Sequence, residues 1–167
     1  MTLSEVNALD RQAFVDAVGW VFEHSPWVAE RAWSKRPFLS LDGLRATLLD
    51  EALAGSRDEQ LALLRAHPDL GTRARMTQSS TREQRGAGLD QLTPDQFERL
   101  QRLNAAYREK FGFPFLYAVK GSSVDQILSA LESRAKSGHE QEFVEAMRQV
   151  GRIAGFRLES IIENSEF

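Results

Sequence analysis

Signals that begin α-helices recur along the chain, and they constrain its fold more than any other feature. A serine or threonine followed three residues later by glutamate or glutamine forms a capping box, which satisfies free backbone N–H groups at a helix start. Such boxes begin at Ser56, Thr93 and Ser123, and a further start lies at Ser137. Apolar residues follow each start at helical spacing. After the last start they are Phe143, Met147, Val150, Ala154, Leu158 and Ile161.

Two stretches nearer the N-terminus also predict helices. Apolar residues from Phe14 to Phe22 indicate a helix that ends at Ser25-Pro26, and residues 41–53 indicate another. The run 113–119 is strand-like, but Pro114 and its short length favour a loop or an extended connector. We therefore predict an all-α fold in which residues 1–167 form a single-domain bundle of about seven to eight helices.

Composition excludes several classes of protein. A formal net charge of −3 gives no reason to expect nucleic acid or an anionic membrane as the partner. Without cysteine there is no disulfide frame, no thiolate zinc site and no cysteine nucleophile. The chain has no signal-peptide pattern and no apolar run long enough to span a membrane. We expect a cytoplasmic protein.

His67 is the histidine best placed for chemistry. It stands directly before Pro68, which disfavours helical backbone at the preceding residue, so the helix that follows Ser56 should end here. The imidazole then lies on a stiff turn formed by residues 67–71. Histidine suits proton transfer near neutral pH. The alternative, which the sequence alone favours, is a histidine on a loop that has no functional role.

The segment Ser80-Thr-Arg-Glu83-Gln84 allows two interpretations. Ser80 and Glu83 match a capping box, which spacing alone favours. Alternatively, Glu83 and Gln84 face a pocket, where a carboxylate and a carboxamide can bind a urea-like group. Gly86 and Gly88 would weaken this helix, a cost that often marks close packing or close approach of a ligand.

Arg157 lies on the last predicted helix, on the side of its apolar stripe. A charge there needs a partner or a cavity, unless the side chain reaches water along its own stem, which is slightly favoured. In a site, its guanidinium would bind carbonyl or carboxylate oxygens. The remaining histidines, His24 and His139, are scattered and predict no metal site.

Short segments between about residues 65 and 160 together carry a family pattern. They are His67-Pro-Asp-Leu-Gly71, Ser80-x-x-Glu83-Gln84, Ala87-Gly-Leu89, Leu103-Asn104-x-x-Tyr107, Lys110-Phe-Gly-Phe-Pro-Phe115, Val119-Lys-Gly121, Ile127-Leu128 and Arg157-Leu158. In this order they resemble the 2-oxo-4-hydroxy-4-carboxy-5-ureidoimidazoline (OHCU) decarboxylase family. The first 60 residues fit only in general helical character.

The resemblance implies a helical enzyme without a cofactor, usually a homodimer, that converts OHCU into (S)-allantoin in urate degradation. It implies a small ureide substrate and a possible association with hydroxyisourate hydrolase or urate oxidase. The family's catalytic histidine corresponds to His67, and we assign Glu83 and Arg157 to the catalytic set as well. The implied substrate-binding positions are Pro68, Ser80, Gln84, Phe115, Ala118 and Val119.

The loop between the histidine motif and the Glu-Gln pair is shorter here than in many family members. We expect this difference to alter contacts of the loop and to leave the roles of His67 and Glu83 unchanged. Two other functions remain open at this point: a related enzyme that acts on another ureide or carboxylated heterocycle, and a helical module that binds ureides without catalysis.

Overall fold

The computed structural model describes residues 1–72 and 76–162, and none of these residues lies in a β-strand. The helices are α1 (Leu3–Ala8), α2 (Arg11–Val18), α3 (Trp27–Ala32), α4 (Leu41–Ala54), α5 (Arg57–Arg65), α6 (Gln78–Gly86), α7 (Pro94–Phe111), α8 (Val124–Arg134) and α9 (His139–Ile161). Short 3₁₀ helices span Gly19–Val21 and Trp33–Lys35. The all-α prediction is confirmed. The described chain has more helices than predicted because α1 and α3, with six residues each, are too short to display a hydrophobic period.

The predicted capping boxes at Ser56, Thr93 and Ser123 all form at the starts of α5, α7 and α8. In each box the hydroxyl accepts a backbone N–H, and the glutamate or glutamine three residues later accepts the N–H of the cap. Thr2 forms a further box at the start of α1. Local side-chain chemistry therefore sets the first residue of each of these helices.

The predicted capping box at Ser80 is wrong. Helix α6 begins three residues earlier than that box requires, because the side chain of Thr77 accepts the N–H of Ser80 at 3.2 Å and caps the helix. Ser80 and Glu83 are interior residues of α6. Their side chains are consequently not used as its cap.

The interpretation of Gly86 and Gly88 as marks of close packing is also wrong. Gly86 is the last residue of α6, and a Cβ added there would meet no atom of the described residues within 4 Å. Gly88 lies beyond the helix with φ at +80°, and a Cβ there would be 3.8 Å from Val124. Glycine is favoured at that φ because it has no Cβ, so Gly88 serves the turn that follows α6.

The contacts divide the chain into two compact units. The first comprises residues 1–66 together with the C-terminal part of α9 from Val150, and it contains α1 to α5. Its buried apolar residues include Phe14, Val18, Leu44, Leu48, Leu63 and Leu64. Stacked rings of Phe14 and Phe38, with centroids 5.9 Å apart, add to this core.

The second unit spans His67–Gln149 and contains α6, α7, α8 and the N-terminal part of α9. Its buried apolar residues include Leu100, Tyr107, Phe111, Ile127, Leu131, Phe143 and Met147. The run 113–119 between α7 and α8 has neither helix nor strand, and it is buried except at the half-buried Tyr117. The prediction that this run is a loop or connector and not a strand is therefore confirmed. No helix among the described residues is long and apolar enough to cross a membrane.

Candidate active site

His67 lies just beyond the end of α5, as predicted. The helix ends at Arg65 with Ala66 as its C-cap, and the backbone of His67 and Pro68 is no longer helical. His67 is 6% exposed, so it is a buried side chain and not an exposed residue of a surface loop. A buried imidazole on a helix end is restrained in position, which is the first requirement for directed proton transfer.

The residues after Pro68 form a tight turn. The N–H of Thr72 donates to the carbonyl of Asp69 at 3.3 Å, and Gly71 has φ at +71°. A Cβ on Gly71 would lie 2.5 Å from Cδ2 of Leu100. Only glycine suits this position. A residue with a side chain is strained in this left-handed backbone conformation, and its Cβ would clash with Leu100. We call residues 67–72 the histidine turn.

Three side chains from α6 and α7 hold the histidine turn. The Oε1 atom of Gln84 accepts the N–H of Gly71 at 2.8 Å. The Nδ2 atom of Asn104 donates to the carbonyl of Leu70 at 2.9 Å, and Arg108 donates to Asp69 Oδ1 at 2.8 Å. The backbone after His67 is thus fixed from both helices.

The α6 residues implied as ligand contacts lie on one short helix, but their environments differ. Ser80 and Gln84 are buried, whereas Glu83 is half-buried. Gln84 uses its carbonyl oxygen on Gly71, and its amide nitrogen lies 3.5 Å from the carbonyl of Asp69 and 3.2 Å from Met76 Sδ. Gln84 therefore supports the turn whatever else it contacts.

The connector of residues 113–119 carries the implied positions Phe115, Ala118 and Val119, all of them buried. None of the described residues pairs with it as a strand, and side chains bind two of its backbone groups. Arg134 of α8 donates to the carbonyl of Leu116 at 2.5 Å, and its guanidinium carbon lies 4.5 Å from the Phe115 ring centroid. Gln149 of α9 accepts the N–H of Ala118 at 2.9 Å.

Arg134 belongs to a buried polar cluster with Glu142 and Tyr107. Its Nε donates to Glu142 Oε1 at 2.7 Å, and the Tyr107 hydroxyl donates to the same oxygen at 2.5 Å. Burial, reinforced by the hydrogen bond to Glu142, raises the pKa of the Tyr107 phenol far above its usual range. The phenol thus stays a neutral donor, which keeps the carboxylate paired.

Helix α7 connects these two irregular segments within the second unit. Asn104 and Arg108 hold the histidine turn, whereas the Tyr107 ring packs edge-on against Phe115 with centroids 5.4 Å apart. The structure therefore brings His67, Pro68, the α6 residues and the connector into one unit around one helix.

Arg157 belongs to the other unit and is 4% exposed. Its Nη1 lies 2.8 Å from Glu23 Oε2, and Glu23 is also buried. The expectation that Arg157 reaches water along its stem is wrong, because its charge is neutralised by a buried carboxylate. The interpretation that it needs a partner is confirmed.

Sequence reasoning missed the residues that hold the candidate site in place. Asn104 carried a signal, since a polar residue lies on the apolar stripe of α7. The sequence gives no such signal for Arg108, Arg134 and Gln149, because each looks like an ordinary polar residue on a helix. Glu23 also carried none, because its partner is distant in sequence.

The other histidines take no part in this arrangement. The Nε2 atom of His139 lies 2.8 Å from the carbonyl oxygen of Lys110. His24 has φ at +46° in the turn before α3. In the part of the chain that the structure describes, no group of histidine and acidic residues could hold a metal ion.

Comparisons with known proteins agree in sequence and in structure. The model of the OHCU decarboxylase family matches residues 7–159. The 2-oxo-4-hydroxy-4-carboxy-5-ureidoimidazoline decarboxylase of Halalkalicoccus jeotgali is 50% identical over 161 residues, which are 96% of this chain and 92% of that protein. The uric acid degradation bifunctional protein PucL of Bacillus subtilis is 43% identical over 96% of this chain and 33% of its own length.

A solved structure is similar over almost the whole chain. The crystal structure of (S)-allantoin synthase superposes with a TM-score of 0.80 at 31% identity, and the match covers 99% of this chain and 56% of that one. The family match, the identity to relatives and the shared fold extend through both units. This chain therefore belongs to the OHCU decarboxylase family.

Proposed function

We propose that this protein is a carboxy-lyase that decarboxylates OHCU to (S)-allantoin in urate degradation. The observation that carries the proposal is the 50% identity, over 96% of the chain, to a relative named for this activity. His67 supports it independently, because a buried histidine on a rigid turn can transfer protons in a fixed direction.

The chemistry requires one bond to break and one to form. The bond between the carboxylate carbon and the ring carbon breaks, and CO₂ leaves. Its electron pair forms a double bond to the neighbouring, ureido-bearing ring carbon, and the electrons of that carbon's C=N bond pass to the ring nitrogen, which takes up a proton, so that an enol forms. A proton then adds to one face of the ureido-bearing carbon, and the hydroxyl on the carbon that lost CO₂ gives up its proton to become the C=O group of allantoin. Because the substrate itself holds the electrons, this reaction calls for no cofactor as an electron sink.

In this proposal His67 transfers the proton at the hydroxyl and carboxylate end of the substrate. The hydrogen bonds of Gln84, Asn104 and Arg108 to the turn support this role, since they restrain the backbone that carries the imidazole. Fixed geometry lowers the barrier because the reacting groups need not be reoriented. A His67→Asn variant should fold normally and lose most turnover.

Glu83 and Gln84 would bind the ureido group and the ring, Glu83 as an acceptor of N–H groups and Gln84 as a donor to a carbonyl, and would so select the face that is protonated. Gln84 already accepts from Gly71, so we assign its contribution to Nε2, whose partners are a carbonyl at 3.5 Å and a thioether. The carbonyl lies at the limit of hydrogen-bond distance and a thioether is a weak acceptor, so a substrate carbonyl would be a better partner. Pro68 and Ser80 would complete this side.

The connector would supply the remaining contacts through Phe115, Ala118 and Val119. Its backbone is held by Arg134 and Gln149, which makes it a rigid wall for a small ligand. Rigid supports limit the entropy that binding costs.

Arg157 would stabilise negative charge that develops on a substrate oxygen. Its ion pair with Glu23 supports this role by restraining the Nη1 atom of the guanidinium. We expect an Arg157→Lys variant to lose activity, because an ammonium group cannot reproduce the planar fork.

The test follows urate conversion by circular dichroism, with urate oxidase and hydroxyisourate hydrolase present in excess. OHCU decays spontaneously to racemic allantoin, so faster appearance of an optically active allantoin signal on addition of this protein would support the proposal. An unchanged rate and a racemic product would instead direct the search to other ureides, and binding without turnover would indicate a non-catalytic module.

Several expectations stay predictions. The family model spans both units, which supports a single domain over residues 1–167. PucL joins a matching region to further sequence in one uric acid degradation protein, which supports an association with the preceding enzymes. Homodimer formation and a cytoplasmic location rest on the resemblance and on the composition. They are checked by light scattering and by cell fractionation.

A further inference from the structure

One face of α7 follows the histidine turn residue by residue. Leu100, Asn104 and Arg108 are four residues apart and therefore lie on the same side of the helix. Leu100 occupies the space where a Gly71 side chain would be. Asn104 binds Leu70 and Arg108 binds Asp69. Each successive helical turn of α7 thus contacts the histidine turn one residue closer to His67, first at Gly71, then at Leu70 and then at Asp69.

Asn104, at the centre of this face, is a polar residue in a buried position. It is 6% exposed, and its Oδ1 has no hydrogen-bond partner among the described residues. A buried amide with an unsatisfied oxygen destabilises the fold relative to an apolar side chain. Its Nδ2 atom, however, donates a hydrogen bond to the carbonyl of Leu70, three residues beyond His67.

We propose that Asn104 and Arg108 are positioning residues that keep His67 aligned for proton transfer. This inference rests on the proposed function, because it assigns them a role through His67. Proton transfer depends on alignment to a fraction of an ångström, and a displacement of about 1 Å can cost roughly a hundredfold in rate. Asn104 holds the turn through the backbone carbonyl of Leu70, and Arg108 holds it through the side-chain carboxylate of Asp69.

The same helix provides a matched control in Arg99. Arg99 pairs with Glu132 of α8 at 2.5 Å, and their side chains are 39% and 46% exposed. Arg108 and Asp69 pair at 2.8 Å with 47% and 37% exposed. The two ion pairs thus resemble each other in chemistry and exposure, but only one contacts the histidine turn. A purely structural role predicts equal effects of removing either arginine.

The decisive measurement is the steady-state kinetics of Arg108→Ala beside Arg99→Ala. We expect Arg108→Ala to lower kcat about tenfold with KM changed less than about twofold, and Arg99→Ala to leave both unchanged. Arg108→Lys should recover part of the loss, because it restores the charge opposite Asp69. A kcat for Arg108→Ala within about twofold of that for Arg99→Ala would overturn the inference.

A double-mutant cycle tests whether Arg108 acts through Asp69. Asp69→Asn should reproduce the loss in kcat, and the double variant should be no slower than either single variant, since both remove the same contact. Additive losses would contradict a shared route to His67.

Asn104→Ala should lower kcat more, about a hundredfold, because the contact is buried and closer to His67. If this variant fails to fold, the Arg108 series decides alone. Hydrogen exchange of the Gly71 amide supplies a readout that needs no activity. We expect faster exchange in Arg108→Ala than in the wild type, and no change in Arg99→Ala.

These measurements separate the two proposals. A wild-type protein that accelerates no ureide conversion would refute the proposed function, and the exchange of Gly71 would still report whether α7 holds the turn. Unchanged exchange in Arg108→Ala would refute the positioning role. An active wild type with unchanged kcat in the Arg108 variants would refute it while the proposed function stands.

Discussion

The histidine turn and the connector are both irregular segments held by side chains of the second unit, but the ion pairs beside them differ. The Arg108–Asp69 pair on the turn is partly exposed, with 47% and 37% of the side chains accessible. The Arg134–Glu142 pair beside the connector is buried, with 13% and 1% accessible. One segment is thus held at the surface and the other inside the core.

This difference separates positioning from stability. Exposed ion pairs contribute about 0–1 kcal/mol, so the turn can lose one contact and remain folded. Removing one partner of a buried pair leaves an uncompensated charge, which costs about 3–5 kcal/mol. Changes at the turn should therefore alter catalysis more than folding, and changes beside the connector should alter folding first.

The largest effect is expected for Arg134→Ala. The substitution leaves Glu142 buried without its cation and the carbonyl of Leu116 without its donor, so the free energy of unfolding should fall by about 3–5 kcal/mol. Urea denaturation measures this. Arg148→Ala is the control, because Arg148 pairs with Glu145 on α9 but is 60% exposed. A similar small loss in both variants would erase the contrast between the two segments.

Gly71→Ala should destabilise the fold by about 2–4 kcal/mol. The left-handed backbone costs about 1–2 kcal/mol for a residue with a Cβ, and the Cβ would lie 2.5 Å from Leu100. Gly88→Ala is the matched control, since Gly88 has a similar φ but its nearest neighbour would be at 3.8 Å. Equal losses in thermal or urea unfolding would mean that Leu100 moves aside and that α7 does not confine the turn.

Tyr107→Phe tests the connector's cluster through pH. Near neutral pH it should cost about 1–3 kcal/mol, because Glu142 loses a donor. Burial raises the pKa of Tyr107 in the folded state, so its stabilisation is complete below the unfolded pKa of about 10 and is lost as pH rises above it. The wild type should therefore lose up to about 1.4 kcal/mol per pH unit more than Tyr107→Phe.

Urea denaturation at pH 8 and about pH 11 measures this difference, with Tyr117→Phe as the control. Tyr117 bonds Ser122 at 2.9 Å and is not part of the cluster, so its variant should keep the steep loss at high pH. The same slope in Tyr107→Phe as in the wild type would place the titrating group elsewhere.

The sequence predicts helices well here because their starts are local. Ser56, Thr93 and Ser123 cap their helices through residues three positions away, so the signal and the structure involve the same few residues. The prediction for α6 failed because Thr77 caps the helix although no glutamate or glutamine stands three residues after it, whereas the box at Ser80 satisfies the local rule and does not form. Such a competition is decided by packing, which the local pattern does not contain.

The candidate site was predictable only where local chemistry determines it. Pro68 ends α5 and thereby places His67 on a turn, and that prediction is confirmed. The contacts that fix the site join residues distant in sequence, such as Glu23 with Arg157. The resemblance supplied the remaining site residues, and their roles stay predictions until they are tested.

The smallest effect on stability is expected for Arg108→Ala, and it bears most directly on the contrast between the segments. The pair with Asp69 is exposed, so its loss should cost less than about 1 kcal/mol, equal to the loss for Arg99→Ala. Both losses should shrink as salt is added, because mobile ions screen exposed charges. Urea denaturation at low and high salt measures them. If Arg108→Ala instead cost about 2 kcal/mol or more at both salt concentrations, the turn would be held like the connector. A fall in kcat would then report partial unfolding around His67, and a misaligned imidazole would no longer be needed to explain it.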